Sequence, residues 1–153
     1  MTKRADKNCS VLLVEDNKAH ADLVSICLKD IMPAECVSHV YDGEEALDFL
    51  LCRGIYSGRQ KTLPALVILD LRLPKADGIE VLRQLRSHEN TKHLPVVIMS
   101  SSEAPLDIKS SYDNLASGYV VKPVDFDEFK TAIDSMALYW LKHNRTERES
   151  ASC

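Results

Sequence analysis

The sequence predicts a doubly wound α/β domain on a five-stranded parallel sheet, in the strand order 2-1-3-4-5. Three observations carry this prediction. Short apolar runs recur along the chain, such as Val11-Leu12-Leu13-Val14 and Leu66-Val67-Ile68-Leu69, as strands buried on both faces of a parallel sheet require. Segments of helical periodicity separate these runs, the alternation that right-handed βαβ crossovers produce. Ionisable residues follow three of the runs, Glu15-Asp16, Asp70 and Lys122. In open α/β sheets chemistry gathers at the carboxyl ends of strands, and this strand order suits a five-stranded domain of this size.

The elements follow in order. Ser10 to Val14 is the first strand, and Asn17 can cap the helix after it. Ala19, Leu23, Ile26, Cys27 and Ile31 recur at helical spacing, so a helix is expected from 18 to about 31, closed by Pro33. Residues 35–40 read as a weaker strand near an edge, and Tyr41-Asp42-Gly43 as a turn. A helix is expected on 44–51, then a polar loop on 53–63, long for such a connection. The strand 65–69 runs into Asp70, with Pro74 and Asp77-Gly78 marking a loop and the start of a helix on 77–87. Pro95 to Met99 is the fourth strand. The Ser100-Ser101-Ser102-Glu103 turn offers a cap for a helix from Pro105 to about Leu115. Gly118 to Val121 is the fifth strand. Phe126, Phe129, Ile133, Met136, Ala137, Trp140 and Leu141 predict one long amphipathic helix.

Bulk properties bound the function. A chain of 153 residues, 45% apolar and 27% charged, is expected to be one globular domain. We read the domain as 9–143, with polar tails on 1–8 and 144–153 and no output domain. Net charge of -4 argues against a dedicated nucleic-acid binder, which needs clustered Lys and Arg. No apolar run approaches a membrane span of roughly 18 residues, and the polar start does not resemble a signal peptide. A cytoplasmic location is therefore expected, with no membrane partner. Of the five cysteines, the inner ones read as small hydrophobes, and Cys153 in the tail could oxidise. The histidines, His20, His39, His88, His93 and His143, show no ligand spacing and read as surface residues.

An acid ending a strand has two readings: it caps the next turn, or it is a nucleophile or metal ligand. The other strand ends bear on the choice. In the predicted order, strands 1 and 3 are neighbours, so Glu15, Asp16 and Asp70 converge, with Ser100 and Lys122 beside them. Three close carboxylates raise each other's pKa unless a cation relieves them. All-oxygen ligands suit Mg²⁺, and the absence of His or Cys at these positions argues against zinc. A carboxylate can take a phosphoryl group as an aspartyl phosphate. Lys122 would supply charge, and Ser100 a hydrogen bond, to the phosphoryl oxygens.

These five positions resemble the receiver domain of two-component response regulators, and the resemblance covers about residues 9–143. It implies the flavodoxin-like receiver fold, with Asp70 as phosphoacceptor. It implies that Glu15, Asp16 and Asp70 hold Mg²⁺, with Asp16 a direct ligand, and that the backbone carbonyl of Arg72 adds another. Ser100 is then the switch hydroxyl, Tyr119 the aromatic that changes rotamer, and the Lys122-Pro123 bond is expected to be cis. Arg72 and Ser102, two residues beyond Asp70 and Ser100, are expected to gate the water that attacks the aspartyl phosphate. The resemblance implies no enzyme, only self-phosphotransfer onto Asp70 and autodephosphorylation.

A narrower resemblance rests on the loop at 53–63, Ile108 to Asp113, Lys122 to Phe129 and Tyr139-Trp140-Leu141. These look like the small stand-alone regulators of bacterial, notably cyanobacterial, phytochrome histidine kinases. The implied function is a single-domain regulator taking a phosphoryl group from a sensor kinase and signalling through protein contacts. Tyr119, Phe126, Tyr139 and Trp140 are the expected face of a homodimer through helix 4, strand 5 and helix 5. Two alternatives stand beside this. A pseudo-receiver would bind partners without phosphorylation. A nucleotide or flavin carrier would need a phosphate loop after strand 1, where Glu15-Asp16 stand instead.

Overall fold

The fold is given by a computed structural model, which describes residues 11–59 and 62–146. Cys9, Ser10, Cys153 and most of both predicted tails lie outside the described residues. Five strands, β1 (Val11–Val14), β2 (Val37–Val40), β3 (Leu66–Leu69), β4 (Val96–Ser100) and β5 (Gly118–Val121), pair in parallel in the order β2-β1-β3-β4-β5. The helices are α1 (Lys18–Leu28), α2 (Gly43–Leu51), α3 (Gly78–Ser87), α4 (Pro105–Asp113) and α5 (Phe126–Leu138).

Side chains alternate across a strand, and the core divides accordingly. Val11, Leu13, Leu66, Ile68, Val97 and Met99 pack under α1 and α5. Leu12, Val14, Val67, Leu69, Val96 and Ile98 face α2 and α3 on the other side. The central strands β1, β3 and β4 are wholly buried, whereas every residue of the edge strand β5 is half-buried. α4 buries only Ser111, and Leu106, Tyr112 and Leu115 near it are exposed.

Helix starts follow side-chain capping. Asn17, Asp42, Asp77 and Asp125 accept hydrogen bonds from His20 N, Glu45 N, Glu80 N and Glu128 N. α4 starts differently: Pro105 opens it and no side chain caps it. The hydroxyl-rich turn does not supply the expected cap, because the Ser102 hydroxyl donates to Asp107 and accepts from Ala104 N.

Four boundaries differ from expectation. α1 stops at Leu28, with a turn in which Ile31 N donates to Leu28 O at 2.9 Å. The second strand begins only at Val37, after a short 3₁₀ turn at Ala34–Cys36. The last helix changes to a π-turn over Tyr139–His143. The 53–63 segment holds a 3₁₀ turn at Gly54–Tyr56 and is fastened to α2. Tyr56 donates to Glu45, and the Arg59 guanidinium bonds Phe49 O and lies 4.1 Å from the Phe49 ring centre.

Two glycines seat the loop between β3 and α3. Gly43 N donates to Pro74 O at 3.3 Å, and a Cβ at this position would overlap the Ala76 carbonyl. A Cβ at Gly78 would fall 2.7 Å from Leu71 Cα and collide with the Asp70 carbonyl. The N-terminus of α2 thus presses directly on the loop that follows Asp70.

At the amino ends of the strands, Arg86 ties the chain together. Its guanidinium donates to Leu94 O at 2.7 Å, Leu115 O at 2.9 Å, Lys92 O at 3.2 Å and Thr91 O at 3.3 Å. These carbonyls lie just before β4 and β5. Burial lowers the Arg86 pKa from its ordinary value, because desolvation disfavours the charged form.

Candidate functional site

The parallel ladders align the strand ends. Glu15 N donates to Val40 O, Asp70 N to Val14 O and Lys122 N to Ser100 O, so each ladder continues one residue past its strand. These bonds fix the backbones from which the functional side chains leave. Glu15, Asp16 and Asp70 each offer an oxygen within 4.8 Å of the others. The Glu15 and Asp70 carboxylates are buried and that of Asp16 is exposed.

Lys122 joins this cluster, its side chain only 11% exposed. Its Nζ lies 2.9 Å from Glu15 Oε2, 3.2 Å from Asp70 Oδ2 and 3.4 Å from His20 Nδ1. Glu15 Oε1 accepts from Asn17 N at 3.1 Å, so both Glu15 oxygens are engaged. Asp70 Oδ1 accepts from Arg72 N at 3.3 Å. Among the described residues the Asp16 carboxylate has no hydrogen-bonding partner, and it stands open to solvent.

Charge is unbalanced here, with three carboxylates about one ammonium. Burial pushes the Glu15 pKa up, and the neighbouring Asp70 charge adds to this against the opposing Lys122 hydrogen bond. For Lys122 burial works downward. The hydrogen bond to Glu15 and the charges of Asp70 and Glu15 outweigh it, and the ammonium is held above its ordinary value. Lys122 thus stays charged, and Glu15 gives up its proton less readily than a free glutamate. An all-oxygen donor set of this kind fits a hard divalent cation such as Mg²⁺.

Around this centre the other predicted residues take varied places. Ser100 is buried, and its Oγ accepts from Ser102 N at 3.1 Å. Tyr119 is half-buried, and its hydroxyl donates to Ser102 O at 2.8 Å. The Arg72 side chain points outward, 79% exposed, toward Asp107 at 3.4 Å. The Lys122-Pro123 bond is trans, and no cis peptide occurs among the described residues. This corrects the expectation drawn from the resemblance. An X-Pro bond prefers trans by about 0.5–1 kcal/mol, and Lys122 Nζ reaches both acids from the trans backbone.

The four expected dimer residues do not form one cluster. Phe126 and Tyr139 are exposed but stand at opposite ends of α5, about 20 Å apart at 1.5 Å per residue. Trp140 packs against the α1/α5 core and meets Tyr139 edge-on at 4.9 Å.

Three residues at the site escaped the sequence reading. His20 reaches Lys122 from the first turn of α1. His39 Nε2 lies 2.7 Å from the Glu15 carbonyl oxygen. Asp107 accepts from Ser102 Oγ at 2.5 Å and from Arg72, joining the two residues expected to gate water. Only His20 had a signal: it lies four residues past Asp16, where a helix begun at once turns its side chain back to the strand end.

With this geometry, comparison with known proteins is decisive. The family model described as the response regulator receiver domain matches residues 11–134. The chain belongs to this family. Receivers are signalling proteins of two-component systems. A probable methanogenesis regulatory protein of Methanothrix harundinacea, FilR2, is 38% identical over 136 residues, 89% of this chain and 86% of that protein. Response regulator Rcp1 of Synechocystis is 33% identical over 132 residues, 86% of this chain and 88% of that protein. The Mn²⁺-bound crystal structure of Rcp1 aligns with TM-score 0.79 at 31% identity, covering 90% of this chain and 97% of that one. The phosphorylated cyanobacterial phytochrome response regulator RcpA aligns with TM-score 0.83 at 34% identity, covering 90% and 96%. The doubly wound sheet is the flavodoxin-like receiver fold, and the acidic cluster fits the divalent metal that receivers bind.

Proposed function

We propose that this receiver accepts a phosphoryl group on Asp70 from the phosphohistidine of a sensor histidine kinase. The observation that carries the reading is the buried Asp70 carboxylate, 3.2 Å from the Lys122 ammonium and grouped with Glu15 and Asp16. An Asp70 oxygen attacks phosphorus, the P–N bond breaks, and the imidazole leaves with the bond's electrons. Glu15, Asp16, Asp70 and the Arg72 carbonyl would hold Mg²⁺, which when bound neutralises charge on the transferring phosphoryl oxygens. Lys122 and the Ser100 hydroxyl donate to phosphoryl oxygens, and the bond Ser100 Oγ accepts from Ser102 N leaves its proton free for this.

The kinase partner is of phytochrome type, a reading supported by the likeness to the cyanobacterial phytochrome response regulator RcpA. Residues 9–143 form the working unit, in the cytoplasm. Output passes through protein contacts on the α4–β5–α5 face, where Leu106, Tyr112, Leu115 and Phe126 are exposed and Tyr119 links β5 to the site. A homodimer forms on that face, and light scattering with and without phosphorylation tests it; a monomer in both states would refute it.

Intact mass after incubation with Mg²⁺ and acetyl phosphate tests the acceptor. One added phosphoryl group in the parent, absent in Asp70→Asn, is the expected result. No gain from acetyl phosphate or from a panel of phosphorylated kinases would overturn the reading and leave a partner-binding pseudo-receiver.

A further inference from the structure

A lysine ammonium has three hydrogens to donate, and Lys122 has three acceptors: Glu15 Oε2, Asp70 Oδ2 and His20 Nδ1. Two of these belong to the groups that change during the proposed reaction. Asp70 becomes an acyl phosphate, and Glu15 sits beside the divalent cation. The third acceptor belongs to a side chain that neither receives the phosphoryl group nor belongs to the carboxylate cluster.

His20 is well placed for this. Its backbone is fixed, because His20 N donates to the Asn17 cap at 3.1 Å. Its side chain is 48% exposed. A lysine ammonium only donates, so its contact to Nδ1, which also lies 3.7 Å from Glu15 Oε1, requires the tautomer with the ring proton on Nε2.

We propose that His20 is a positioning residue for phosphoryl transfer: its Nδ1 anchors the Lys122 ammonium while the contacts to Asp70 and Glu15 are exchanged. This rests on the phosphoacceptor reading of Asp70. When a phosphoryl oxygen replaces Asp70 Oδ2 as a partner of Nζ, the His20 contact keeps the ammonium at the strand end. Without it the four-carbon stem is free to turn, and part of the positioning that phosphoryl transfer depends on is lost.

The test uses atom position. Asn places Oδ1 where His places Nδ1, whereas Gln places its amide nearer the Nε2 position. Phosphorylation rates from acetyl phosphate at saturating Mg²⁺ are compared for the parent, His20→Ala, His20→Asn and His20→Gln. The Ala and Gln variants should be about three- to tenfold slower, the effect of losing one hydrogen bond of ordinary strength, as its 3.4 Å length suggests. The Asn variant should stay within about twofold of the parent. Calorimetric Mg²⁺ affinity should be alike in all four. An unchanged Ala variant, or Asn as slow as Ala, overturns the proposal.

A second measurement does not depend on phosphorylation. In ¹⁵N-lysine protein, the Lys122 ammonium signal, assigned with Lys122→Arg, should exchange its hydrogens with water several-fold faster in His20→Ala and recover in His20→Asn. Equal exchange in parent and His20→Ala overturns the anchor. If the parent takes no phosphoryl group while the exchange pattern holds, the acceptor reading fails, and with it the role in transfer.

Discussion

At the amino ends of the strands one guanidinium is surrounded by carbonyl oxygens; at the carboxyl ends two carboxylates share one ammonium and a third stands beside them. The Arg86 end is satisfied. Each donor bond meets a neutral acceptor, and each carbonyl it binds belongs to a loop that must be held. The Asp70 end is left short of positive charge, with Glu15 pushed toward its neutral form by burial. One end spends a buried cation on holding loops together, and the other holds back anionic capacity that a cation and a phosphoryl group can use. Both are polar and partly buried, so burial alone does not separate them. The balance of charge does.

The largest expected effect tests that shortage. Mg²⁺ at a hundred times its Kd should stabilise the folded protein by about 2.7 kcal/mol. Thermal melts across a Mg²⁺ series should show the rise in the parent and its loss in Asp16→Ala. The Arg86 end should show no such response: Arg86→Met should cost about 1–3 kcal/mol in urea denaturation, and the cost should be equal with and without Mg²⁺.

Two smaller effects sharpen the contrast. Asp107 holds Ser102 and Arg72 beside the acid end without belonging to it, so Asp107→Ala should change the aspartyl-phosphate half-life roughly threefold, a barrier change under about 1 kcal/mol. Following decay of the phosphorylated mass reads this directly, and an unchanged half-life would remove Arg72 and Ser102 from control of the attacking water. The smallest effect is in pH. Burial holds the folded Glu15 pKa above its ordinary value, so the folded state keeps a proton that the unfolded chain has already lost. Its contribution to stability therefore falls as pH rises from the ordinary glutamate range through the folded value. Denaturation midpoints between pH 4 and 7 should fall less in Glu15→Gln than in the parent, and Mg²⁺ should flatten the parent's curve.

Much of this was legible in the chain. β1 and β3 are unbroken apolar runs because both faces of the sheet are covered, and the acids that end them could only stand at the edge. The sheet order and the grouping of Glu15, Asp16, Asp70 and Lys122 followed. Residues that reach the site from the helices were harder to read. His20 and Asp107 look like ordinary polar helix residues until rotamer and helix direction are known. Arg86 was invisible for a related reason, since its partners are backbone carbonyls, which any sequence supplies. The Lys122-Pro123 isomer went wrong because the two forms differ by so little that the residue pair does not fix the choice.

The contact between Gly43 and the Ala76 carbonyl has a genetic consequence. One methyl group at position 43, uncharged and nonpolar, would push against the loop that carries the acceptor's neighbours. A substitution there would act as a loss-of-signal allele while every acid and the lysine remained intact. A survey of variants that scored only charged positions would pass over it, since Gly43 opens α2 while Asp70 follows β3.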